Sequence, residues 1–170
     1  MISKKLQDAI NAQINKELFS EYLYISMQAW FANQNLDGFA NWMDAQGKEE
    51  RFHAMKFFNY LIERGGKVEL KALEGPTVDF KNPLAIFKAA LKHEQFISKS
   101  INDLMELAIK EKDHSARGLL QWFVDEQVEE EANVDKIVHH LDMVKDNPHA
   151  IFMLDNQLGA RVFTPPAAAE

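Results

Sequence analysis

The strongest constraint in this sequence is a set of polar residues embedded in apolar, helix-periodic surroundings and repeated along the chain. Glu17 and Glu50 lie 33 residues apart, and so do Glu94 and Gln127. A shift of 77 residues carries Glu17 onto Glu94, Glu50 onto Gln127, His53 onto Glu130, Glu49 onto Glu126 and Phe19 onto Phe96. The second half of the chain therefore repeats the first. Any fold that respects this relates two similar units by an approximate two-fold and brings the polar inserts to one level of its core.

The units are helical hairpins. Leu6, Ile10, Ile14, Leu18, Tyr22, Ile25 and Ala29 recur at helical spacing with no Gly or Pro between them, which predicts one helix over residues 4–33. Asn33-Gln34-Asn35 is a short polar connector, and Asp37 is expected to cap a second helix reaching about residue 64. Phe39, Trp42 and Met43 begin its apolar stripe, and Gly65-Gly66 ends it. Residues 67–82 include Gly75-Pro76 and keep no helical period, as expected of a long crossing connection. Asn82-Pro83 starts a third helix to about 112, Asp113 caps a fourth over 114–145, and Asn147-Pro148 starts a fifth over 148–159. That last helix carries Ile151, Phe152, Met153, Leu154 and Leu158, and is too short and apolar to stand alone, so it must dock. Residues 164–170 are expected to fray. Two hairpins joined by one long crossover make an all-α, antiparallel four-helix bundle of the ferritin-like topology, read as a single domain over residues 1–170.

Residues three apart on a helix share a face, so Glu50/His53 and Gln127/Glu130 each present a pair inward. One Glu from each of two helices, with Glu-x-x-His on the others, is the ligand set for two metals in a bundle core. Here the second pair is Gln127-x-x-Glu130. Four carboxylates, an imidazole and an amide suit iron or manganese better than zinc or copper. Buried together without cations, the carboxylates would cost several kcal/mol each or stay protonated.

The run Trp122 to Glu131 divides on this register. Gln127 and Glu130 point to the metal pair. Glu126 and Glu129, with Glu49, point to an adjoining acidic locus, leaving Asp125 and Glu131 as a solvated face. Trp122, one turn earlier, would wall the centre. Tyr24, seven residues after Glu17, shares its face; it is either a partner of a ligand and electron donor, or an ordinary core tyrosine. His93, His114, His139, His140 and His149 have no partner at ligand spacing and read as surface or core residues.

The chain has no Cys, which excludes disulfides, zinc–thiolate sites and iron–sulfur clusters. A net charge of −7 argues against a nucleic-acid partner. With no apolar stretch that could span a membrane and no signal-like start, the expected location is the cytoplasm.

Five stretches carry a resemblance to the prokaryotic non-haem ferritins: Gly38-Phe39-Ala40-Asn41-Trp42-Met43, Glu50-Arg51-Phe52-His53-Ala54, His93-Glu94-Gln95-Phe96-Ile97-Ser98-Lys99-Ser100-Ile101, the acidic run, and Phe152-Met153-Leu154-Asp155. The likeness covers almost the whole chain. It implies a hollow 24-subunit shell that stores iron as a ferric mineral. It also implies a di-iron ferroxidase centre of Glu17, Glu50, His53, Glu94, Gln127 and Glu130, passing Fe2+ to Fe3+ with dioxygen or hydrogen peroxide. Glu49, Glu126 and Glu129, with Glu130, resemble the family's third iron site, and Tyr24 matches the tyrosine beside the centre. The fifth helix would pack around the four-fold axes. Bacterioferritins place a haem-ligating Met where Arg51 stands, so no haem is expected; rubrerythrin-type peroxidases usually add a cysteine-rich module that this chain lacks.

Overall fold

The computed structural model describes residues 2–145 and 147–166. They form five helices: α1 Lys4–Asn33, α2 Asp37–Glu63, α3 Pro83–Lys110, α4 His114–Val144 and α5 Pro148–Leu158. The expected spans agree to within two residues. Residues 164–166 lie in irregular backbone, and 167–170, also expected to fray, fall outside the described residues.

The repeat extends to the turns that close the hairpins. Asn35 after α1 and Lys112 after α3 are related by the same 77-residue shift, and each leaves its helix at φ 56°. Beyond them, the Leu36 amide donates to the Phe31 carbonyl (3.1 Å) and the Asp113 amide to that of Ala108 (2.9 Å). These are matching left-handed caps that fold α1 onto α2 and α3 onto α4. At the end of α2, Gly65 takes φ 70°, where an L side chain is disfavoured, and the Gly66 amide reaches the Leu61 carbonyl at 2.8 Å. Arg64 then pairs with both carboxylate oxygens of Asp113 (3.0 and 2.8 Å), tying the end of α2 to the start of α4.

Asn82, Asp113 and Asn147 cap α3, α4 and α5 as expected, and Ser3 caps α1. Asp37 does not cap α2. It is already helical, which places its carboxylate in the first turn, where the helix dipole favours it. The cap comes from α5 instead: Asp155 Oδ1 accepts from the Phe39 amide at 2.9 Å.

The crossover lies along α1. Gln7, Asn11 and Asn15, one helical turn apart, offer side-chain amides to its backbone. Asn11 accepts from the Glu69 amide (2.7 Å) and donates to the Lys67 carbonyl (2.9 Å); Asn15 accepts from the Lys71 amide (2.7 Å). Gln7 accepts from the Lys67 amide at 3.1 Å. An extended segment with no sheet to join thus gains a ladder of partners.

Two apolar clusters fill the bundle. One gathers Tyr24, Phe31, Phe39, Trp42, Phe87 and Leu141 with the docked α5; the other gathers Leu6, Ile10, Phe57, Leu61, Leu104 and Phe123. Along each of α1 to α4 a buried polar residue, Glu17, Glu50, Glu94 or Gln127, falls between the residues that feed one cluster and those that feed the other. Here the expected stripe of α1 needs correcting: Tyr22, Ile25 and Ala29 are exposed, and the core face runs Ile14, Glu17, Tyr24, Met27, Phe31. A stripe read by hydrophobicity alone sidesteps Glu17 and drifts onto the outer face. No described helix is long and apolar enough to cross a membrane.

Candidate metal centre

Glu17 of α1, Glu50 and His53 of α2, Glu94 of α3, and Gln127 and Glu130 of α4 are all at most 5% exposed. Ligand atoms of Glu17, Glu50 and His53 lie within 4.8 Å of one another. So do those of Glu49, His53, Glu126 and Glu130, which form a second, less buried group sharing His53. Glu129 is exposed and joins neither group, and Glu131, expected on the solvated face, is half-buried and accepts from Ser98.

Five of the six expected ligands are held by side-chain hydrogen bonds. Gln13 donates to Glu17 at 2.8 Å, and Gln46 donates to both Glu50 (2.9 Å) and Glu130 (2.8 Å). Gln127 donates to Glu94 Oε2 and Ser98 Oγ at 3.3 Å, while Tyr24 donates to Glu94 Oε1. Tyr24 is fully buried and bonded to an expected ligand. Trp122 packs edge-on against His53, ring centres 5.5 Å apart, and walls the centre. Among the five histidines without ligand spacing, His93 shares a hydrogen bond with Ser20 (2.7 Å) on the flank of the bundle.

Against these bonds, Glu17 Oε2, Glu130 Oε1, His53 Nε2 and Gln46 Oε1 are buried and have no hydrogen-bond partner. Three of the four belong to the expected ligands. Leaving such atoms unpaired costs about 1–3 kcal/mol each, more for charged groups, and a cation among them removes that cost.

The titration of the metal-free centre agrees. Burial, then repulsion from Glu50, pushes Glu17 up to about 8. Burial and the charges of Glu50 and Glu49 push Glu130 up to about 8. Glu94 is raised well above the ordinary range, again mainly by burial. Glu50 alone among the described buried carboxylates moves down: burial opposes its charge, but its ion pair with His53 and the hydrogen bond from Gln46 prevail. Burial lowers His53, yet its pairing with Glu50 and the surrounding carboxylates raise it to about 10. Glu50 figures in the shift of every other ligand carboxylate, which marks it as the electrostatic middle of the centre.

A pH effect follows. Glu17 and Glu130 rise on folding from 4.5 to about 8, so their stabilisation is complete below about pH 4.5 and is lost as pH climbs through about 8. His53, raised from 6.5 to about 10, acts in the same direction over a higher window. The melting temperature of metal-free protein is expected to fall between about pH 6 and about pH 9. Saturating Zn2+ reverses that slope, because metal binding displaces the protons. Scanning calorimetry at both pH values, with and without Zn2+, checks both parts.

Three supporting residues went unread in the sequence. Gln13 precedes Glu17 by four residues and Gln46 precedes Glu50 by four, so the two glutamines are themselves 33 apart. Extending the repeat one turn backward finds them. Arg161 carries no such signal: it lies outside both hairpins, yet donates to Glu49 Oε2 at 2.6 Å.

Residues 7–144 match the family model described as a Ferritin-like domain. The chain is 39% identical over 163 residues to the bacterial non-heme ferritin of Staphylococcus aureus strain USA300, covering 96% of this chain and 98% of that protein. Identity to the Staphylococcus haemolyticus protein of the same name is 37%, with the same coverage. Among solved structures, a humanized archaeal ferritin superposes with a TM-score of 0.96 at 44% identity, covering 97% of this chain and all of the other. An open-pore ferritin from the hyperthermophilic archaeon Archaeoglobus fulgidus gives 0.93 at 45% identity, covering 95% and 99%.

Proposed function

Because this chain belongs to the ferritin family, whose members store iron, we propose that it oxidises Fe2+ at the centre between its two apolar clusters and deposits the ferric product inside a hollow homo-oligomeric shell. One observation carries this reading. Glu17 Oε2, His53 Nε2 and Glu130 Oε1 are buried without a hydrogen-bond partner, and His53 belongs to two groups whose ligand atoms lie within 4.8 Å of one another, one with Glu17 and Glu50 and one with Glu49, Glu126 and Glu130.

Iron is the substrate. Two Fe2+ would enter the set Glu17, Glu50, His53, Glu94, Gln127 and Glu130. Glu50, central in charge, would serve both. Entry displaces the protons that Glu17 and Glu130 carry at neutral pH, so the centre charges itself only as cations arrive. Each Fe2+ gives one electron. Dioxygen takes two electrons and two protons to become hydrogen peroxide; hydrogen peroxide takes two of each to become two waters. Carboxylates hold the harder ferric ion more tightly than the ferrous one, which pulls the reaction forward. Tyr24, held as a neutral phenol by burial and by Glu94, adjoins the centre and is placed to supply a further electron. The outer group of Glu49, His53, Glu126 and Glu130, with Glu129 exposed beyond it, forms the route toward the cavity. Haem has no part in this reading.

Iron loading in air followed by electron microscopy tests storage. Large hollow particles with electron-dense cores are expected. Material of monomer or dimer size without cores would contradict the shell.

A further inference from the structure

Beyond α5 the chain turns back along α2. Asn41 donates to the Gly159 and Arg161 carbonyls at 3.2 and 2.9 Å, and Phe163 packs against Phe52, ring centres 6.0 Å apart. Between these anchors the Arg161 guanidinium lies 4.2 Å from the centre of the Trp42 ring, and its Nη2 donates to Glu49 Oε2 at 2.6 Å. The contacts follow one stripe of α2, from Asn41 and Trp42 through Glu49 to Phe52. Arg161 and Glu49 are only 21% and 16% exposed, and Arg161 Nη1 is buried with no partner. A fixed positive charge therefore sits on a carboxylate of the outer acidic group, two of whose other members, Glu130 and His53, turn unpartnered buried atoms inward.

We infer that Arg161 is a tethered counter-cation of the outer group, placed there by the C-terminal segment to keep metal binding at that group weak and its occupancy transient. The inference rests on the outer group being an iron site, as proposed above. The physical reason is simple. A metal ion held by Glu49, His53, Glu126 and Glu130 must either share Glu49 with the guanidinium or displace it, and in both cases two cations compete for one set of carboxylates. A site on a transit route has to release what it binds. The inner centre has no guanidinium among its hydrogen-bond partners, and Arg161 cannot lose its charge to make way for a metal. Arg161 is thus a positioning residue acting through Glu49.

Calorimetric titration of metal-free, full-length protein with Zn2+, a redox-inert divalent cation, tests this. The parent is expected to take up two tight equivalents and a weaker third. In R161Q the first two stay unchanged and the third tightens about tenfold. R161K, which keeps the charge and loses the planar fork, stays within about twofold of the parent. Adding E49Q to R161Q removes the gain. An unchanged third equivalent in R161Q, or the same tightening in R161K as in R161Q, would overturn the inference. A parent with no tight pair of equivalents would instead sink the di-iron reading, and this inference with it.

Discussion

Replacing Glu17 and His53 together by Ala slows Fe2+ oxidation by about a hundredfold or more while the fold survives. The two residues are chosen because they turn unpartnered atoms into the centre, so removing them takes away ligands and few structural bonds. Glu17 gives up only its bond from Gln13, and His53 its contact with Glu50 at 3.7 Å. Both truncations leave small voids, which are destabilising. Removing a buried carboxylic acid offsets part of that, whereas removing His53 leaves the Glu50 carboxylate buried without its cationic partner. The melting temperature of the metal-free double variant is therefore expected to fall by several degrees, while its far-ultraviolet circular dichroism remains helical. The divergence appears once metal is added: the parent gains stability and the variant gains little. Stopped-flow absorbance on mixing with Fe2+ in air reads the rate. Undiminished oxidation in a folded double variant would remove the site assignment.

Gly38→Ala is expected to be the most damaging single-methyl substitution in the bundle. A Cβ at position 38 would stand 1.7 Å from the Asp155 carbonyl oxygen and 2.5 Å from its carbon. Those are backbone atoms of α5, so no rotamer change relieves the overlap, and α5 must move as a body. With it goes the bond from the Phe39 amide to Asp155 that caps α2. Overpacking against backbone together with a lost cap amounts to about 3 kcal/mol, or a fall in melting temperature of about 6–12 °C. Gly159 packs on the other side of the same contact, its own Cβ position being 3.4 Å from the Gly38 Cα. The Arg161 segment begins at this point, so displacing α5 also loosens the pair with Glu49. A Gly38→Ala protein that melts within a degree of the parent would show that α5 is not seated against α2 in this way.

Much of this structure is legible in the sequence because the repeat is stated twice. One shift of 77 residues relates the ligands, Phe19 to Phe96 and, as the backbone shows, the turns at Asn35 and Lys112. Helix starts are equally plain where Asn-Pro or Asp supplies both the cap and the break. The exceptions have physical reasons. The stripe of α1 is misread beyond Ile14 because a buried polar layer interrupts the hydrophobic code, and Tyr22 and Ile25 offer an apolar alternative on the outer face. Asp37 looks like a cap, but the cap of α2 is supplied by a residue more than a hundred positions away, which no local pattern reveals. Glu131 reads as solvated from its neighbours, and only the approach of α3 gives it Ser98. Arg161 is invisible for the same reason as Asp155: both act across the docked fifth helix, outside the repeat.

Counting iron in the fast oxidation phase tests most directly whether the six buried residues form one two-metal centre. Metal-free protein is mixed in air with increasing Fe2+, and the amplitude of the rapid phase is followed by absorbance. The amplitude is expected to rise linearly and break at two Fe2+ per chain, with slower oxidation of any further iron. A break at one, or a rapid phase that grows without a break, would contradict a paired site built from Glu17, Glu50, His53, Glu94, Gln127 and Glu130.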